Sequence, residues 1–98
     1  MPQLDWSSEA LADIQELRDY ITERNRTAAS AVFLRIVERA GLLIEQPKFG
    51  RPGRVRGTRE LVIPGTPFII VYAILDADTI RILGVRHGAR HWPRSFDS

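Results

Sequence analysis

From Phe68 to Leu75 the chain is apolar at every position, Phe68-Ile69-Ile70-Val71-Tyr72-Ala73-Ile74-Leu75, and most of those residues are β-branched or aromatic. Such residues suit a pleated strand, and a run this short is strand length rather than helix length. An unbroken apolar run without alternation needs cover on both faces, which makes it the central strand of a sheet. Turn chemistry brackets it: Pro64-Gly65-Thr66-Pro67 before, Asp76-Ala77-Asp78 after. Two shorter branched runs flank those turns, Arg59 to Ile63 and Thr79 to Val85. Three strands joined by short turns predict an antiparallel sheet.

The first half of the chain supplies the layer such a sheet must bury itself against. Leu4 to Trp6 suits a short opening strand. Ser7 and Ser8 are N-cap types, Glu9 suits a first helical turn, and Leu11, Ile14, Leu17 and Ile21 recur at helical spacing. These predict an amphipathic helix over residues 8–23. After Arg24-Asn25-Arg26-Thr27, in which Asn25 or Thr27 can cap, a second apolar stripe runs from Ala28 through Val32, Phe33, Ile36, Val37 and Ala40 to Ile44, before Pro47. Gly41 inside it costs about 1 kcal/mol relative to Ala. The short break predicts an antiparallel helical hairpin. Residues 47–58 are rich in Gly, Pro and Arg and read as a loop. The expected fold is α+β, β-α-α-β-β-β, with the helical hairpin packed on a small antiparallel sheet. One domain is expected over residues 1–98, with 93–98 as a loose tail.

Several classes of chemistry lack their residues. The 98 residues include no cysteine and two histidines, with no carboxylates at a metal-ligating spacing. No run approaches the about 18 apolar residues of a membrane span, and no signal-peptide pattern opens the chain, so a cytoplasmic location and no membrane partner are expected. No P-loop, dinucleotide glycine motif or nucleophile elbow is present, and no cofactor or metal is expected. The net charge of +2 is unevenly split, −3 over residues 1–46 and +5 over 47–98. A basic face on one half of the fold follows, suited to nucleic acid or an acidic protein.

Two clusters carry that charge. Lys48, Arg51, Arg54, Arg56 and Arg59 can neutralise phosphates or meet an acidic partner, or can pair with carboxylates of the helices. Arg81, Arg86, His87, Arg90, His91 and Arg94 form the second. On a regular strand Arg81 and Arg86 face opposite ways, leaving Arg81 as a sheet-surface residue. His87 is either a general acid–base or a packed structural residue. Trp92-Pro93 either anchors a partner or closes the edge of the core. Tyr72 reads as a core tyrosine with its hydroxyl reaching solvent, Glu60 as a base or the partner of a neighbouring arginine, and Asp5-Trp6 as the seat of the first helix.

The element order, the strand Gly57-Thr58-Arg59-Glu60-Leu61-Val62, the strand Ile70-Val71-Tyr72 and the closing His87-Gly88-Ala89-Arg90 with Trp92-Pro93 resemble the RelE/ParE superfamily. Its members are the toxin halves of bacterial type II toxin–antitoxin modules, which arrest growth and stabilise plasmids. The resemblance runs from Trp6 to Pro93. In the RelE-like branch, cations position an mRNA phosphate in the ribosome and a base helps the 2′-hydroxyl attack. The ParE-like branch lacks that set and poisons DNA gyrase. Where RelE-like toxins carry a catalytic arginine on the central strand, this sequence has Ile69; where they carry lysines on the preceding strand, it has Glu60 and Val62.

The resemblance therefore implies a ParE-like gyrase poison, with Arg51, Arg54, Arg56, Arg59, Arg86, His87, Arg90 and Trp92 as target-binding residues. The alternative is a ribosome-dependent mRNA endonuclease, in which Arg59 and Arg86 hold phosphate and His87 is acid or base. A third reading is an inactive member serving only in an antitoxin-bound repressor. The implied partner is a ParD- or RelB-like antitoxin whose acidic C-terminal segment folds onto the toxin, operator DNA being reached only through that antitoxin.

Overall fold

Helix α1 (Ser8–Arg24) starts at an extended Ser7, whose hydroxyl accepts the Ala10 amide at 3.0 Å. The computed structural model describes residues 1–89, 92, 95 and 96. Asn25 ends α1 and caps the next helix in a single residue. Its amide donates to the Ile21 carbonyl, and its side-chain oxygen accepts from the Ala28 amide at 3.1 Å. Helix α2 (Arg26–Glu45) then returns antiparallel, so the predicted hairpin forms and is tighter than expected.

Five strands make one sheet: β1 (Gln3–Trp6), β2 (Arg51–Pro52), β3 (Arg59–Val62), β4 (Phe68–Asp76) and β5 (Thr79–His87), in the order β1-β5-β4-β3-β2. The apolar run is the middle strand, and β3, β4 and β5 pair antiparallel as expected. The sheet as a whole is mixed, because β1 lies parallel to β5. A parallel pair needs a long crossover, and the chain between β1 and β5 supplies it. The loop reading of residues 47–58 needs one correction: Arg51 and Pro52 form the edge strand, opposite Glu60 and Arg59. Two residues ending in proline carry no periodicity, and only the distant partner makes them a strand.

The helices bury one face of this sheet. Ala10, Ile36, Ala40 and Leu43 pack against Leu61, Ile63, Ile70, Tyr72, Ile80, Ile82 and Val85. Each large aliphatic side chain removed from water there contributes roughly 1.5–3 kcal/mol. On the other face Ile69 and Val71 are buried as well, so β4 is covered on both sides from Ile69 to Tyr72. Beyond that, Ile74 and Leu75 are 37% and 45% exposed, because β3 pairs with β4 only as far as Tyr72.

Two local features place the candidate site. Val71 pairs with Gly84 but Tyr72 with Ile82, so Leu83 is the extra residue of a bulge. The bulge reverses the alternation of β5. Arg81 lies opposite Ala73 and Arg86 opposite Ile69, two residues on the same face of β4; the regular-strand expectation that they point apart is overturned. Secondly, β1 stops at Trp6, leaving the next stretch of β5 with an open edge. Side chains close it: the Ser7 hydroxyl donates to the Leu83 carbonyl at 3.3 Å, and the Asp13 carboxylate accepts the Val85 amide at 2.9 Å. Of the tail expected over 93–98, Ser95 and Phe96 are described. Phe96 lies edge-on to Trp92, 6.4 Å between ring centres; Pro93, Arg94, Asp97 and Ser98 fall outside the described residues.

Candidate functional site

The basic loop is held together by one acid. Glu60 is only 3% exposed, and its carboxylate accepts from the Arg51 guanidinium at 3.1 Å, the Arg54 amide at 2.8 Å and Arg54 Nε at 3.1 Å. Burial alone would push this carboxyl up, but the Arg54 amide and the two guanidiniums outweigh it and hold Glu60 below the ordinary carboxylate range. The arginines of the loop thus pair with a strand acid rather than with carboxylates of the helices.

Arg54 reaches further. Its Nη1 donates to the Gly88 carbonyl at 2.9 Å, and its guanidinium lies 3.7 Å from the centre of the Trp92 ring. Arg59 turns to backbone, donating from Nη1 to the Gly50 carbonyl at 2.7 Å. Arg56 is exposed and makes no ion pair among the described residues. Tyr72 is fully buried, and its hydroxyl does not reach solvent. It donates to the Pro47 carbonyl at 2.7 Å and accepts the Gly50 amide at 2.9 Å, fastening the loop to the central strand. Burial pushes its hydroxyl above the usual tyrosine range.

At the end of β5, Arg86 is taken up by helix α1. Its Nη2 lies 2.8 Å from Glu9 and its Nε 3.0 Å from Asp13. Asp13 also holds the Val85 amide. Burial raises the Asp13 carboxyl above its ordinary value, against the opposing pull of Val85 and Arg86. Arg81 pairs with Asp5 at 2.7 Å, so Asp5 serves the sheet surface, while Trp6 packs against the core. His87 accepts the Ala89 amide on Nδ1 at 3.2 Å and sits edge-on to Phe68. In the neutral ring that hydrogen bond places the proton on Nε2.

These residues border a groove of about 470 Å³ between α1 and the end of β5, walled by Asp13, Glu16 and Tyr20 on one side and by Phe68, Arg86, His87 and Trp92 on the other. Trp92 Nε1 donates to the His87 carbonyl at 3.0 Å, fixing the ring beside it. The fold therefore brings Arg86, His87 and Trp92 together, with Arg54 behind the tryptophan. It does not bring Arg59 to them. Arg59 pairs with Tyr72 and His87 with Phe68, and the strand from Phe68 to Tyr72 spans roughly 13 Å. Arg90 lies outside the described residues. Glu9, Asp13 and Tyr20 escaped the sequence reading; the i, i+4 spacing of Glu9 and Asp13 signalled a shared helical face, but nothing local pointed to an arginine on β5.

Beside the groove, Arg86 is paired with Glu9 and Asp13 and Arg54 shares Glu60 with Arg51, while Ile69, beneath them on β4, is 6% exposed. Among the described residues no cluster of histidines and carboxylates could hold a metal ion, and no helix is long and apolar enough to cross a membrane.

Residues 4–92 match the family described as the ParE toxin of type II toxin-antitoxin system, parDE. A protein of Sinorhizobium fredii named Y4kP is 38% identical over 92 residues, 94% of each chain. Toxin RelE2 of Caulobacter vibrioides is 36% identical over 90 residues, 92% of this chain and 99% of that one. Among solved structures, the chromosomal ParDE toxin–antitoxin system from P. aeruginosa superposes with a TM-score of 0.79 at 27% identity, covering 89% of this chain and 96% of that one. The intact E. coli RelBE toxin–antitoxin complex shares the fold, with a TM-score of 0.60 at 16% identity, covering 92% and 100%. The chain belongs to the ParE toxin family of type II toxin–antitoxin systems.

Proposed function

We propose that this toxin poisons DNA gyrase by binding it, does no chemistry of its own, and is neutralised in the cytoplasm by a cognate antitoxin. The observation that supports this best is the state of the cations. Arg54 and Arg86 are engaged by acids of the same chain, Arg59 by backbone, and Ile69 is buried where a nuclease of this fold would need a cation. A phosphoryl-transfer site needs donors aimed at the developing charge, not guanidiniums already spent. The likeness to the ParDE structure supports an antitoxin partner. We take that partner to wrap the toxin with its acidic C-terminal segment and to supply the contacts to operator DNA.

A second reading, a ribosome-dependent mRNA endonuclease, is favoured by His87 standing in the groove and by the relative named RelE2. Replacing the histidine separates the two. Removal of an acid–base group costs a nuclease about 10²–10⁴ in rate, whereas one rim contact of a binding surface is worth about tenfold or less. Induced His87→Ala should therefore still filament cells and trigger DNA-damage signalling. Lost toxicity with the fold and antitoxin binding intact would reverse the ranking.

A further inference from the structure

Arg54 belongs by sequence to the basic loop, yet its amide and each of its three guanidinium nitrogens already donate within the chain, with 42% of the side chain left exposed. Its amide and Nε hold Glu60, its Nη1 holds the Gly88 carbonyl, and its guanidinium plane covers one side of Trp92. Trp92 in turn lines the groove beside α1 and is tied to the His87 carbonyl. Gly88 leaves little slack beneath it, since a Cβ there would come within 3.0 Å of the Ile69 side chain. One side chain thus links the loop, strand β3, the end of β5 and the wall of the groove.

We propose that Arg54 is a positioning residue: it sets Trp92 in the groove wall for engagement of the target and does not itself contact that target. This rests on the binding reading given above. Three features argue for it. Arginine alone supplies a plane that stacks on an aromatic ring while its edge donates in fixed directions to a carboxylate and a carbonyl. The anchoring acid, Glu60, is buried and stays ionised to low pH, so the anchor holds through the neutral range. The ring that Arg54 covers also forms part of the groove, so a displaced guanidinium changes the groove without altering any residue that lines it.

The test uses the full chain with Trp6→Phe, so that emission reports Trp92 alone. In that background Arg54→Lys keeps the charge and a donor for Glu60 but loses the plane. Arg81→Ala is the control, since it removes a positive charge from the same sheet face without touching Trp92. The expected result for Arg54→Lys is red-shifted, more easily quenched Trp92 emission and at least about tenfold weaker gyrase inhibition, with far-UV circular dichroism unchanged. Arg81→Ala should match the parent in both readouts. Unchanged emission in Arg54→Lys overturns the proposal. So does inhibition retained in Arg54→Lys but weakened in Arg81→Ala, which would mark Arg54 as one contributor to a general positive field. If Arg54→Lys does not fold, Glu60→Gln replaces it, because loosening the anchor should shift the same emission; no shift there also overturns the proposal. If the parent leaves gyrase untouched, the gyrase reading fails, and the emission, read against growth arrest in cells, still decides the role of Arg54.

Discussion

Replacing Tyr72 by phenylalanine removes one oxygen from the centre of the molecule and leaves the ring in place. The hydroxyl makes two short bonds, donating to Pro47 and accepting from Gly50. A neutral hydrogen bond nets about 1 kcal/mol, and a buried partner left unpaired costs about 1–3 kcal/mol. Gly50 is buried while Pro47 is partly exposed, so water can re-satisfy the Pro47 carbonyl more easily than the Gly50 amide. The sum is about 2–3 kcal/mol. For a domain of this size that lowers the melting temperature by roughly 10 °C or more. Urea unfolding of Tyr72→Phe should give a reduced midpoint with an unchanged slope, and amide exchange should rise first at Gly50 and its neighbours. A loss below about 0.5 kcal/mol, or exchange that rises evenly across the sheet, would refute the idea that this hydroxyl fastens the loop.

Other perturbations have definite expected signs. A Cβ at Gly41 would meet nothing within 4 Å, whereas one at Gly50 would lie 2.7 Å from the Tyr72 hydroxyl and from the Glu60 carbonyl. Thermal melts should therefore show Gly41→Ala stabilised by up to about 1 kcal/mol and Gly50→Ala clearly destabilised. Glu60, with a lowered folded pKa, contributes stability present above its unfolded pKa and lost as pH falls through the folded value. Glu60→Gln should then destabilise at neutral pH by about 2–3 kcal/mol, with the gap closing as pH falls through the lowered folded pKa. Asp13 is raised in the fold, so its contribution has the opposite sign: full below the unfolded carboxylate pKa and lost as pH rises through the folded value. Asp13→Asn should flatten that part of a stability–pH profile measured by denaturant titration.

Much of the fold was legible because its signals are local. Ser7 and Asn25 cap the helices that the apolar stripes predict, and the unbroken run at β4 lies in the middle of the sheet. What escaped depends on distant partners. β2 exists only because Glu60 and Arg59 lie opposite Arg51 and Pro52, and β1 is parallel only because it meets β5. The bulge at Leu83 had one local signal, the neighbouring Gly84, since a glycine inside a strand pattern suggests a bulge, and it decides that Arg81 and Arg86 share a face. The site was legible in its residue types but not in their pairings. Arginines that look free in the sequence are tied to Glu60, Glu9 and Asp13, the last two from an element more than 60 residues away in the chain.

If Arg54 and Arg86 are held by acids of their own chain and Arg59 by backbone, the toxin grips a protein machine instead of cleaving RNA. Purified toxin added to gyrase and supercoiled plasmid, and in parallel to ribosomes carrying a defined message, tests it most directly. Cleaved DNA–gyrase complexes should accumulate while the message stays intact. Codon-phased cuts in ribosome-bound message, with gyrase turning over normally, would contradict it.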